Sequence, residues 1–174
     1  TSDHGEMLGE HGLWWKSSFD EPSTRIPLIA AWPGRFPAGS RVSTPVSLLD
    51  LTHTIVAAAG ADADRMEGDD LQPSAFGERG ALDPDRAVFA EYETHGTTPP
   101  GRMLRQGRYK LNAYHGETPE LFDLQADQHE LHDLSGDPAY AALRDDMTAR
   151  ALESWDPADI GRRVRESQRR RRIL

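Results

Sequence analysis

Short apolar stretches separated by longer polar, glycine-rich connections run along the chain, and the spacing within each stretch predicts its element. In SLLDLTHTIVAAAG, Leu48, Leu51, Ile55 and Ala58 recur at helical spacing, and Gly60 follows as a helix-ending residue, which predicts an amphipathic helix. DPAYAALRDDMTARALESWD repeats that logic, with Leu143, Met147, Ala151 and Trp155 on one face behind an Asp137-Pro138 start. RIPLIAAWPG, from Arg25 to Gly34, is instead a continuous β-capable run stopped by Pro33-Gly34, and predicts a buried strand followed by a turn. AVFAEY, GRMLRQGRYKLNAY and ELFDL read as short strands, with Gln106-Gly107 as the hairpin turn. Thr1 to Lys16, carrying Gly5, Gly9 and Gly12, reads as a loop with at most short helical turns.

The order is therefore loop, strand, helix, linker, three or four antiparallel strands, helix and tail. Residues 1–61 are expected to complete a parallel sheet whose other strands lie upstream, because a parallel strand needs neighbours. Residues 62–85, rich in Asp, Gly and Pro, are expected to be a surface linker; 86–156 an α+β subdomain; 157–174 a basic tail. The fold class is α/β.

Composition removes several function classes. The 174 residues include no cysteine, which excludes disulfides, thiolate metal sites and a cysteine-derived nucleophile within this sequence. A net charge of −9 argues against a nucleic-acid partner, since such proteins neutralise phosphates with a basic surface. RRVRESQRRRR, Arg162 to Arg172, is the exception, and docking on the acidic body or on a sister subunit is the expected role of this arm. No apolar run approaches the roughly 18 residues of a membrane span, and the first residues have neither the basic start nor the apolar stretch of a secretion signal.

The candidate chemistry lies at the front of the chain. In TSDHGEMLGEHGLWWK, adjacent Asp3 and His4 can share one divalent cation if the backbone turns sharply, a freedom that Gly5 supplies. A carboxylate with an imidazole suits Zn or Mn, and oxygen partners from elsewhere would shift the preference to Ca. Two ligands are too few, so the others must come from another place. Lys16, behind Leu13-Trp14-Trp15, is placed to meet an anionic substrate oxygen. Alone, an Asp-His pair is most often an ordinary surface loop.

Weaker candidates are His11 and His95, both on glycine-bearing loops where substrate-binding groups are common, although a hydrogen-bonded structural role is the commoner one for such a histidine. His53 is expected to pack within its helix, and His115, His129 and His132 to lie at the surface. Trp14 and Trp15 could wall a cationic head group, with packing under the loop the favoured reading.

Taken together at this spacing, SDHGEMLGEHGLWWK resembles the metal-binding segment of sulfatases and phosphonate monoester hydrolases in the alkaline phosphatase superfamily. SFDEPSTRIPLIAAWPG, LLDLTHTIVAAAG, GRYKLNAY and ELFDLQADQHELHDLS are similar to the segments that follow in that family, and the closing ESWDPADIGRRVRESQRRRR is most like choline-sulfatase-type members. Gln128 departs from the family's usual Pro, at a turn.

The resemblance implies the C-terminal portion of an alkaline-phosphatase-like α/β/α sandwich, followed by a small antiparallel-sheet subdomain with a packed helix. It also implies Asp3 and His4 as ligands of one divalent metal, Ca foremost with Mn as the alternative, and Lys16 as a catalytic contact to the ester oxygen of a small anionic substrate. A formylglycine nucleophile is expected, but its Cys/Ser-x-Pro-x-Arg source and two further metal-binding aspartates are absent from these residues. A homo-oligomer built through the C-terminal tail, no nucleic-acid or membrane partner, and a cytoplasmic location complete the expectation. The alternatives are a phosphonate monoester or phosphodiester hydrolase, and a catalytically inactive module used for assembly.

Overall fold

The computed structural model describes residues 1–72, 82–93 and 99–171. Its centre is a four-stranded antiparallel sheet in the order β1 (Ala87–Tyr92), β2 (Gly101–Gln106), β3 (Tyr109–Tyr114), β4 (Glu120–Asp123). The register sets Leu104 opposite Leu111 and Leu111 opposite Leu121. This row is fully buried, because alternation along each strand sends it to the face covered by α3 (Ala141–Leu152), where Met147 and Ala151 close the core. The turn between β2 and β3 is Gly107-Arg108, one residue beyond the expected Gln106-Gly107, and Gly107 takes φ +52°. Asp137 caps the single 3-10 turn Pro138–Tyr140 that leads into α3, and Trp155 follows the helix and is buried as its spacing predicted.

On β3 both faces are covered. Tyr109, Leu111 and Ala113 join the α3 core, whereas Lys110, Asn112 and Tyr114 point the other way, toward the N-terminal segment. Phe19 stacks on Tyr114 at 5.4 Å between ring centroids and meets Tyr92 edge-on at 6.5 Å. Gly101 makes room for this cluster: a Cβ there would sit 2.7 Å from the Tyr114 ring and 2.9 Å from Phe19. The N-terminal loop is thus a third layer, seated on the sheet opposite α3.

The predicted strand in RIPLIAAWPG does not form. Among the described residues it pairs with none of β1–β4, and Ile29 is left 87% exposed. The turn that ends it is present, with Arg35 and Phe36 amides bonded to the Trp32 carbonyl and Gly34 at φ +81°. The next helix, α2 (Leu48–Ala58), forms where its spacing placed it but turns its apolar stripe outward: Leu48, Leu49 and Ile55 are exposed, and Asp50 and Thr54 are buried instead.

The reason is an ionic clamp. Asp50 completes a capping box with Ser47 and takes both arms of Arg86 at 2.9 Å, and Arg86 also reaches Asp69 at 2.8 Å. The Asp69 amide donates to Asp50 and the Leu71 amide to Thr54, so this part of the connection lies against α2. Gly68 approaches so closely that a Cβ would lie 2.6 Å from the Asp50 nitrogen. The chain ends in α4 (Pro157–Arg171), whose Arg162 pairs with Asp159 and Glu166 on its own surface. No described helix is long and apolar enough to cross a membrane.

Candidate active site

The front loop is a compact excursion held by few side chains. Met7 is completely buried and anchors it, while Met7 N–H donates to the Trp15 carbonyl at 2.7 Å and Gly9 N–H to the Leu13 carbonyl at 2.9 Å, closing the loop on itself. Between those closures the backbone turns left-handed at Leu8, Gly9, His11, Gly12 and Trp15. Three of these are not glycine, and each costs about 1 kcal/mol in that conformation, so the contacts around the loop must over-determine its shape.

The loop sits on α1 (Glu21–Thr24), a single turn. Gly5 and Glu6 amides donate to the Ser23 and Pro22 carbonyls at 2.8 and 2.9 Å, and the Ser23 hydroxyl donates to the Lys16 carbonyl at 2.7 Å. Both ends of the loop are therefore fixed to the same turn. The approach is close enough to need glycine: a Cβ on Gly5 would lie 1.9 Å from the Pro22 oxygen.

This seating brings Asp3, His4 and Lys16 together. His4 Nδ1 is 2.7 Å from the Gly5 carbonyl oxygen, which can only accept, so Nδ1 carries the proton and Nε2 presents its lone pair. Lys16 Nζ donates to that lone pair at 2.7 Å, and Asp3 Oδ2 lies 3.4 Å from the same nitrogen. Two ligands side by side on one cation, with bonds of about 2.1–2.4 Å, stand roughly 3.0–3.4 Å apart, so the Asp3–His4 spacing fits a shared divalent ion. The backbone bond at Nδ1 is the kind of outer contact that orients a ligating imidazole. Among the described residues no cluster of three or more metal-ligating side chains occurs.

The other candidates fall elsewhere. His11 is exposed, and its Nε2 bonds the His129 carbonyl at 2.9 Å, tying the loop to the turn after β4. His95 lies outside the described residues. His115, His129 and His132 are at the surface as expected. Trp14 and Trp15 are not packed under the loop: they are 66% and 74% exposed. The grooves of about 610 Å³ beside α4 and about 440 Å³ near Arg105 share no residue with Asp3, His4 or Lys16.

Sequence reasoning missed what supports the site. Lys110, in β3, is fully buried and forms ion pairs with Glu130 at 2.7 Å and Glu21 at 3.2 Å. The alternation in YKLNAY reads as a solvent face for Lys110 and Asn112, and no local signal says that the N-terminal loop covers it.

An antiparallel sheet backed by one helix carries on its other face a loop that gathers Asp3, His4 and Lys16, and its similarities assign this arrangement to the carboxyl-terminal part of alkaline phosphatase superfamily proteins. Residues 9–156 match the family described as N-sulphoglucosamine sulphohydrolase, C-terminal, and the chain belongs to that sulfatase family. It is 36% identical to the choline-sulfatase of Rhizobium meliloti (strain 1021) over 181 residues, covering 99% of this chain and 34% of that protein. Among solved structures it resembles BT4656 in complex with its substrate D-glucosamine-2-N,6-O-disulfate (TM-score 0.76, 26% identity, 90% of this chain and 34% of that one). It also resembles the phosphonate monoester hydrolase of Agrobacterium radiobacter (TM-score 0.74, 28% identity, 87% and 33%). The chain thus spans about a third of the length of the relatives it matches.

Proposed function

We propose that this chain supplies part of the active site of a metal-dependent sulfuric ester hydrolase. Asp3 and His4 would hold one divalent cation, Ca or Mn, through Asp3 Oδ2 and His4 Nε2, and the cation would lend Lewis acidity toward the ester group. Lys16 would bind the ester oxygen, where negative charge grows as the bond to the leaving group breaks. Its ammonium lies beside the pair, donating to His4 Nε2 at 2.7 Å; a bound cation would take that lone pair and leave the ammonium to the ester oxygen. The nucleophile, a formylglycine by family resemblance, is not encoded among these residues.

The observation that supports this reading is the convergence of Asp3 Oδ2 and Lys16 Nζ on His4 Nε2, in a loop that α1 fixes at both ends. The test is hydrolysis of a sulfate ester by the whole hydrolase with this segment in place. Lys16→Ala is expected to reduce kcat by on the order of 10²-fold, about 3 kcal/mol in the barrier, without unfolding the protein. Unchanged turnover would remove Lys16 from the reaction.

The similarity to the phosphonate monoester hydrolase supports a second reading in which the ester is a phosphonate or phosphate diester. The same cation and lysine serve both, and parallel assays on the two ester classes rank them.

A further inference from the structure

We propose that Lys110 and Glu130 are positioning residues for the Asp3–His4–Lys16 constellation, acting on it through α1. The path is short and continuous. One Glu130 oxygen lies 2.7 Å from Lys110 Nζ with both side chains 0% exposed, and the other accepts the Glu21 N–H at 2.6 Å. Lys110 also donates to the Glu21 carboxylate at 3.2 Å and to the Thr24 hydroxyl at 3.4 Å. Glu21 and Thr24 are the first and last residues of α1. The residues between them, Pro22 and Ser23, are the ones whose carbonyls and hydroxyl hold Gly5, Glu6 and Lys16. The buried ions grip the turn at both ends, and its middle grips the loop.

Three considerations separate this from ordinary docking. A four-residue helix does not stand on its own hydrogen bonds, so what holds α1 in place is external to it. A buried ion pair seldom repays its desolvation better than an apolar pair of the same volume would, so stability alone is a poor reason for three charges here. Glu130 is also held at φ +54°, a left-handed backbone that a non-glycine residue adopts at a cost, and it is this turn that presents both carboxylate oxygens to α1 and β3. The adjacent His129 carbonyl meets His11, giving the same turn a second hold on the loop.

That the three gathered side chains are catalytic rests on the proposed function; the coupling itself does not, because it is read by amide exchange and histidine nitrogen shifts rather than by hydrolysis. The experiment compares the unsubstituted chain with Lys110→Met, Glu130→Gln and Lys110→Arg. In Lys110→Met and Glu130→Gln, protection of the Gly5 and Glu6 amides should fall by about tenfold or more while the β2–β3 amides keep theirs, and the His4 ring nitrogen shifts should move. Lys110→Arg, which keeps the charge, should restore both. Folded variants with Gly5, Glu6 and His4 unchanged, or with every amide losing protection alike, overturn the proposal. Should neither disruptive variant fold, denaturant-dependent exchange of the unsubstituted chain decides. Gly5, Glu6 and Glu21 opening as one unit supports the coupling, and Gly5 and Glu6 opening separately from Glu21 contradicts it. Loss of sulfate-ester hydrolysis as an activity would leave these readouts untouched.

Discussion

At the scale of single residues, the candidate site depends on close backbone approach as much as on charged groups. Gly5→Ala would drive a methyl into the Pro22 carbonyl, and the loop cannot yield without releasing both the Gly5 and Glu6 hydrogen bonds to α1. The expected outcome is loss of the hydrolytic activity proposed for the whole protein at nearly unchanged sheet stability, checked by comparing turnover with the thermal midpoint. Asp3, His4 and Lys16 could be singled out in the sequence only through the resemblance of their spacing to a known family, since an Asp-His pair by itself reads as a surface loop; the structure brings the three side chains together. The Ser23 hydroxyl and the Lys110–Glu130 pair were not, because a buried lysine and an exposed one look alike until the covering segment is known. Trp15 shows the same limit: an apolar residue reads as packed, yet its ring is exposed on a left-handed turn of the loop.

At the scale of elements, α2 is held by electrostatics where its apolar spacing had promised packing. Burial alone would push the Asp50 carboxyl upward, but the Arg86 hydrogen bonds and the Ser47 and Asp69 amides outweigh it and hold it below its ordinary value. A carboxyl depressed on folding contributes stability that is present above its unfolded pKa and lost as pH falls through the folded one. The clamp between α2 and residues 66–72 should therefore open in acid, below about pH 4, which urea titrations at stepped pH would detect. Asp50→Ala should remove that acid dependence and cost about 3 kcal/mol, because it leaves Arg86 without its buried partner. A thermal midpoint equal to that of the unsubstituted chain would show that the clamp holds nothing.

The sheet is the contrasting case. Leu104, Leu111 and Leu121 line up across three strands beneath Met147, so Leu111→Ala should cost about 3 kcal/mol by cavity formation in a urea denaturation. These strands and α3 were readable because each buries its apolar residues within this chain. The run from Arg25 to Gly34 was misread for the converse reason: its composition specifies a buried strand, but burial and pairing are supplied by neighbours, and none is present among the described residues.

At the scale of the whole molecule, the exposed residues mark what the chain is built to meet. Among the described residues, ten of the thirteen exposed large apolar side chains, Ile29, Val42, Leu48, Leu49 and Ile55 with them, come from the first sixty positions. On the proposed function, the occupant of that surface would be the remainder of a hydrolase of its relatives' length, of which this chain spans about a third. Ile29→Asp should leave the stability of the isolated chain within about 0.5 kcal/mol, as expected for an exposed position, yet impair the whole hydrolase. Equal stability and full activity would assign the surface another use.

If Asp3 and His4 hold a cation beneath Lys16, as proposed, the metal content of the purified whole hydrolase will report it. One divalent ion per chain is expected in the unsubstituted protein and in Lys16→Ala, with loss of that ion in the Asp3→Asn, His4→Ala double variant. An undiminished metal content in a folded double variant would contradict the account.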